Sequence, residues 1–293
     1  MKIILYFFSE LKYNTAIKTN HPLRGNKKEK YIMKKTIAVF TVLVMMMAMV
    51  FTAFAADQTD SEYVKEKGTL VVGITDFAPM DYKDDDGNWI GFDADTAAVF
   101  AAWLGVDVEF VEIEWDNKVL ELDSKSIDCV WNGMTLTDEV MAAMTCSNAY
   151  CNNAQVVIVP ADQADKYQTA EDCAELVFAV EAGSAGEAEI TALGYECTPV
   201  QSQASALMEV AAGTCDAAVI DSLMAAAMVG EGTSYENLTY TAPLNSEEYG
   251  VGFRTGSDLA RLLNEFFKAS YEGGAMQLCA EKYGVQAALI EQK

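Results

Sequence analysis

Histidine is almost missing from this chain. The single histidine among 293 residues is His21, close to the N-terminus, so the rest of the sequence has no imidazole. That excludes histidine-based nucleophilic triads and the common His-containing zinc sites. Basic residues are also scarce beyond the N-terminus. Residues 1–55 hold nine of the 20 Lys+Arg but only two of the 44 Asp+Glu. The 238 residues that follow carry 11 and 42, a net charge of −31, with arginine only at Arg254 and Arg261. A surface of that sign repels nucleic acid and anionic lipid and keeps the protein dispersed. It also biases binding toward cationic or zwitterionic solutes. None of the seven cysteines forms a Cys-x-x-Cys pair, which disfavours zinc and thioredoxin-type chemistry. No repeat and no low-complexity run is present, and neither a cofactor nor a metal is expected.

What is present begins with targeting. Met33-Lys34-Lys35 leads into an apolar run from Thr36 to Phe54 that ends in Ala53-Phe54-Ala55. A basic start, an apolar core and Ala-x-Ala read as a secretory signal cleaved after Ala55, with Met33 as the true start and residues 1–32 upstream of it. An uncleaved anchor is the alternative, since the run is about as long as a membrane span. No cysteine follows the run directly, so a lipoprotein is not expected. The reading is an extracytoplasmic protein, periplasmic or secreted, acting as a monomer.

The seven cysteines, Cys129, Cys146, Cys151, Cys173, Cys197, Cys215 and Cys279, all lie beyond the signal. Cys129, Cys215 and Cys279 sit in apolar patterns and read as core residues. Cys173 and Cys197 each precede an expected strand and pair if those strands are parallel neighbours. Cys146 and Cys151 flank a short turn and are a second candidate pair.

Strand and helix patterns alternate along the chain. Strands are expected at Gly68–Ile74, Val106–Val111, Ile127–Trp131, Gln155–Val159, Val177–Val180, Ala217–Ile220 and Tyr249–Arg254. Helices are expected at Ala94–Leu104, Asn117–Ser124, Ser202–Ala212, Ser222–Val229 and Asp258–Tyr271. Asp84-Asp85-Asp86-Gly87-Asn88 signals a hairpin, and Thr137 an N-cap. Such alternation implies an α/β fold of mostly parallel sheets flanked by helices.

The densest signal is Asp128 to Tyr150. The apolar Cys129-Val130-Trp131 runs into Asn132-Gly133-Met134-Thr135-Leu136, and a helix starts after Thr137. Hydroxyls, a glycine and unpaired N–H groups at a helix start suit an anion. This block resembles the central motif of family 3 extracellular solute-binding proteins, the capture subunits of amino-acid ABC importers. The resemblance extends from Gly68 to Gly284 and implies the two-lobed periplasmic-binding-protein fold with two hinge strands. Lobe 1 would comprise residues 57–153 and 248–293, lobe 2 residues 154–247, with the ligand captured in the cleft by hinge closure and delivered to a permease.

The resemblance also implies roles. Asp221, at the carboxyl end of an apolar strand where ligands bind in open α/β sheets, matches the acceptor of the ligand ammonium; the alternative reading of the residue is an N-cap for the next helix. Phe77 and Trp115 match aromatics that cover the ligand from two sides. Asn132, Gly133 and Thr135 match a loop that contacts it, and Ser184 a hydroxyl at a helix start that meets its carboxylate. Glu181 adds acidity. Val140 departs from the pattern: the family carries an arginine there that clamps the carboxylate. Neither Arg254 nor Arg261 is an obvious replacement. Lys118 either reaches into the cleft or is a solvated helix residue. Some relatives dehydrate cyclohexadienyl substrates, which makes an enzyme with Glu181 or Glu114 as general acid one alternative, and a sensory receptor another.

Overall fold

The structure, a computed structural model, describes residues 58–293. The signal segment, its cleavage site and Met33 lie outside the described residues. Among the described residues no helix is long and apolar enough to cross a membrane.

In chain order the elements are α1 (Asp60–Lys67), β1 (Thr69–Ile74), β2 (Tyr82–Lys83), β3 (Trp89–Ile90), α2 (Phe92–Leu104), β4 (Asp107–Glu112), a 3-10 turn (Trp115–Asn117), α3 (Lys118–Asp123), β5 (Cys129–Thr135), α4 (Asp138–Ala143), β6 (Thr145–Cys146), β7 (Cys151–Asn153) and β8 (Gln155–Pro160). They continue as β9 (Val177–Glu181), α5 (Ala185–Leu193), β10 (Glu196–Val200), α6 (Gln203–Ala212), β11 (Ala217–Asp221), α7 (Ser222–Met228), β12 (Leu238–Pro243), β13 (Glu247–Phe253), α8 (Leu259–Glu272) and α9 (Ala275–Tyr283). Thr137 caps α4 as expected, its hydroxyl accepting from the Val140 N–H at 3.1 Å. The acidic turn closes the β2–β3 hairpin, Asp84 accepting from the N–H groups of Asp86 and Asn88.

Two sheets result. The first runs β4-β1-β5-β13-β6, with β7 also on β13; the second runs β10-β9-β11-β8-β12. Each is parallel where strand–helix–strand units build it, β1 with β4 and β5, β9 with β10 and β11. Each turns antiparallel around the strands that lie beside the crossings, β13 and β8. The chain passes from the first sheet to the second between Asn153 and Gln155, and returns between Pro243 and Glu247. The mixed character follows from those crossings, which bring a strand back in the opposite sense. Helices α2 and α8 cover the first sheet through ring contacts of Phe100 with Phe266 (5.4 Å) and Trp131 (6.1 Å). The second sheet buries Val157, Phe178, Val180 and Ile190 in a separate cluster. Residues Thr59–Lys293 together form one compact unit.

Two expectations change. The polar stretch Asn132–Thr135 is no loop: β5 continues through it, because Met134 and Thr135 pair with Gly250 and Tyr249 of β13. All seven cysteines are free thiols, so neither candidate disulfide exists. Cys146 lies opposite Gly252 and Cys151 opposite Tyr249 on the same edge of β13. Three strand residues separate those positions by about 10 Å, beyond the reach of a disulfide. Cys197 pairs with Phe178 on β9, whereas Cys173 sits in the turn before β9, its thiol donating to Thr169 O at 3.3 Å.

Candidate functional site

A cavity of about 540 Å³ lies between the two sheets. One wall is Trp115, Asp116, Lys118, the β5 end and α4; the other is the β9 end, the start of α5, Gln155, Gln203 and Asp221. Of the residues singled out from sequence, Trp115, Lys118, Asn132, Gly133, Thr135, Val140, Glu181, Ser184 and Asp221 all line it. Phe77 does not. It is 1% exposed and stands behind the floor, its ring edge-on to Tyr249. The floor residue Gly133 has φ +55°, and a Cβ there would lie 2.3 Å from Phe77 Cε1, so only glycine lets the ring sit so close. Of the expected aromatic pair, Trp115 alone lines the cavity.

The floor is held from below. Asp93 accepts from the Gly133 N–H and from the Tyr150 hydroxyl, both at 2.7 Å. Its burial pushes its carboxyl up to about 7. Asp81, buried beside it with no hydrogen-bond partner for its carboxyl, is also pushed well above the usual carboxylate range, by burial and by Asp93. Asn132 is spent on Thr75: its amide donates to the Thr75 hydroxyl at 2.8 Å and its carbonyl accepts the Thr75 N–H at 2.9 Å.

Asp221 sits at the end of β11 and makes no capping bond to α7. Its carboxylate instead accepts from Gln155 Nε2 at 3.0 Å, from the Tyr249 hydroxyl at 2.8 Å, and from the amides of Asn153 and Gln203. Asn153, Gln155 and Tyr249 belong to or adjoin the two crossings. Glu247 shares the same donors, accepting from Asn153 Nδ2 at 2.7 Å, Gln155 Nε2 at 2.8 Å and the Thr135 hydroxyl at 2.8 Å. Burial and the neighbouring Glu247 raise Asp221 to about 8. The sequence offered one hint of this network: Gln155 and Asn153 are polar residues bounding an otherwise apolar strand.

Ser184 caps α5, its oxygen accepting from the Glu187 N–H at 3.1 Å, while Glu187 Oε2 takes the Gly183 N–H at 2.7 Å. Glu187 thus places the protein's own carboxylate beside this helix start.

Lys118 is not solvated. It is 8% exposed and donates to Trp115 O at 3.2 Å on its own wall and to Gly183 O at 2.9 Å on the opposite one. Its ammonium also lies 4.9 Å from the Trp115 ring centre. Burial lowers its pKa, against the pull of Glu181, Asp116, Glu139 and Glu187. An ammonium has three protons, and the two carbonyls leave one free. Lys118 is the only basic residue lining the cavity among the described residues. The walls also touch through Gln201 Nε2 and Glu114 Oε1, 2.9 Å apart, and where Gly183 abuts Asp116.

Glu181 ends β9, 2% exposed, with Oε1 unpaired. Burial first, then Asp221, raises it to about 8, while Lys118 and hydrogen bonds from Thr75 and Gln203 oppose the rise. The arginines are elsewhere. Arg254 is buried in an ion-pair network with Asp60 (3.1 Å) and Asp128 (3.3 Å). Arg261 pairs with Glu265 at the surface. No cluster that could hold a metal occurs among the described residues.

Two mixed sheets, two crossings and a polar cavity between them define the two-lobed binding-protein fold. Residues 70–286 match the family of bacterial extracellular solute-binding proteins, family 3, and the chain belongs to that family. The L-cystine-binding protein TcyJ of Escherichia coli K12 is 28% identical over 232 residues, covering 78% of this chain and 87% of that protein. An ABC uptake transporter substrate-binding protein from Streptococcus pneumoniae, solved with bound histidine, superposes with TM-score 0.71 at 28% identity, over 78% of this chain and 98% of that one. The ancestral amino-acid-binding protein AncCDT-1, a precursor of cyclohexadienyl dehydratase, superposes with TM-score 0.70 at 30% identity, over 76% and 98%.

Proposed function

We propose that this protein is the extracytoplasmic capture subunit of an ABC importer, taking up an amino acid or a related small amine-bearing solute. The observation that carries the reading is the cavity itself. It lies between lobes joined by two crossings, has a volume usual for small-molecule sites, and sets a buried ammonium on one wall against buried carboxyl groups on the other. Lobe 1 is assigned to residues 57–153 and 248–293, lobe 2 to residues 154–247. The two hinge on the Asn153–Gln155 and Pro243–Glu247 crossings, and opening the cleft breaks the Lys118–Gly183 and Gln201–Glu114 bonds. Lys118 supplies the charge for a ligand carboxylate that the family arginine, here Val140, would otherwise supply. Secretion after cleavage at Ala55, action as a monomer and delivery to a permease complete the proposal.

A thermal-shift screen of amino acids, amines and short peptides tests it. A ligand at about a thousand times its Kd stabilises the folded state by about 4 kcal/mol. If no small solute raises the melting temperature, the capture reading fails. One observation favours a second reading: a carboxyl held protonated to about 8 inside a cavity, as Glu181 is, suits a general acid. Turnover of a cyclohexadienyl substrate by the purified protein would select the enzyme instead.

A further inference from the structure

The two acids at the second wall are not equivalent. Asp221 already receives four side-chain donors, three of them from residues at the crossings, which fills about the number of acceptor positions a carboxylate has. Glu181 is as deeply buried, lines the same cavity, and keeps one oxygen with no partner. An orphaned buried acceptor costs free energy until a donor reaches it. Lys118 faces it with one unused proton, and its two bonded carbonyls come from opposite walls. The cavity wall therefore holds one buried carboxyl oxygen without a donor and, across from it, one ammonium proton without an acceptor, close enough to act on each other.

Resting on the solute-capture reading above, we infer that Glu181, and not Asp221, receives the ligand ammonium, with the zwitterionic head group laid between Glu181 and Lys118. Asp221 is then a positioning residue. It ties β11 to both crossings and sets the geometry in which the walls meet.

Glu181 is held protonated to about 8 mainly by burial, in a setting where Lys118 and Asp116 face it from the first wall and Asp221 and Glu187 from the second; Glu139 lies on α4. A cationic ligand that ionises this carboxyl releases a proton as it binds. Isothermal titration calorimetry with L-arginine, L-histidine and L-cystine, in two buffers of different ionisation enthalpy at pH 7, measures affinity and proton release together. For any probe the wild type binds, Glu181→Gln is expected to weaken affinity by at least about 30-fold. It is also expected to reduce the number of protons released, leaving only what Asp221 contributes, and to leave the melting temperature of the unliganded protein no lower. Asp221→Asn is expected to lower that melting temperature, because it loosens the hinge hydrogen bonds. Glu181→Gln binding within about threefold of wild type, or with the same proton release, would overturn the inference while leaving solute capture standing. Wild-type protein that binds none of the probes and none of the wider screen removes the capture reading itself, and this inference with it.

Discussion

Replacing Lys118 by methionine asks whether one buried ammonium has taken over from the missing arginine. Methionine keeps the apolar stem and removes the ammonium. In the unliganded protein the change loses two hydrogen bonds to carbonyl oxygens, at 2.9 and 3.2 Å, and one ring contact. A charged hydrogen bond contributes about 1.5–3 kcal/mol, but the residue is 8% exposed and also bears a desolvation cost that disappears with it. The expected loss of stability is therefore about 2 kcal/mol at most, or roughly 4–8 °C for a chain of this size.

Binding should change far more. Removing one partner of a buried charge pair costs about 2–5 kcal/mol, on the order of 30- to several-thousand-fold in Kd. Lys118→Met also leaves Glu181 without its one cationic neighbour in the cavity, so the absolute affinity mixes two effects. A ratio separates them. Each amino acid is paired with its decarboxylated amine, L-arginine with agmatine and L-histidine with histamine, and titrated calorimetrically against both proteins. Wild type is expected to prefer the amino acid by at least about 30-fold, and Lys118→Met to bring that preference toward unity. A preference that survives unchanged would refute the assignment of the carboxylate to Lys118.

Three further outcomes are expected. Arg254→Ala strands Asp128, whose side chain is fully buried, with only Lys67 and the Val71 N–H; the loss should be about 3–5 kcal/mol in urea unfolding, and a loss under about 1 kcal/mol would contradict the network. Gly133→Ala combines a left-handed backbone with a Cβ 2.3 Å from Phe77, and should cost about 2–5 kcal/mol, partly recovered by adding Phe77→Leu; an unchanged urea midpoint would show that the floor is not so tight. Glu181 titrates at about 8 when folded against 4.5 ordinarily, so between those values the folded state keeps a proton that the unfolded chain releases. Rising pH then favours unfolding by up to about 1.4 kcal/mol per unit from this group, and the melting temperature of Glu181→Gln relative to wild type should climb from pH 5 to pH 8; a constant difference would refute the burial assigned to it.

Much of this protein is set locally. Strand and helix periodicities, the Thr137 cap and the Asp84 turn each depend on residues within a few positions of one another, and each was legible from sequence. The same holds for the family block around Asn132–Thr135 and for the departure at Val140. That most of the resembling residues gather at one cavity follows from the topology that block implies. What tertiary structure alone decided involves partners far apart in the chain. Phe77 stands at the back of the floor, against Gly133, and does not line the cavity. Ser184 became the cap of its own helix start while still lining the cavity. Asp221 was enclosed by Asn153, Gln155, Gln203 and Tyr249, which only the two crossings bring together. Lys118 is buried where the turn at Gly183, on the opposite wall, accepts from its ammonium. Sequence sets which groups are available and which backbone they sit on. Burial and the saturation of hydrogen bonds decide which of them stay free to bind, and both are properties of contacts that no local pattern encodes.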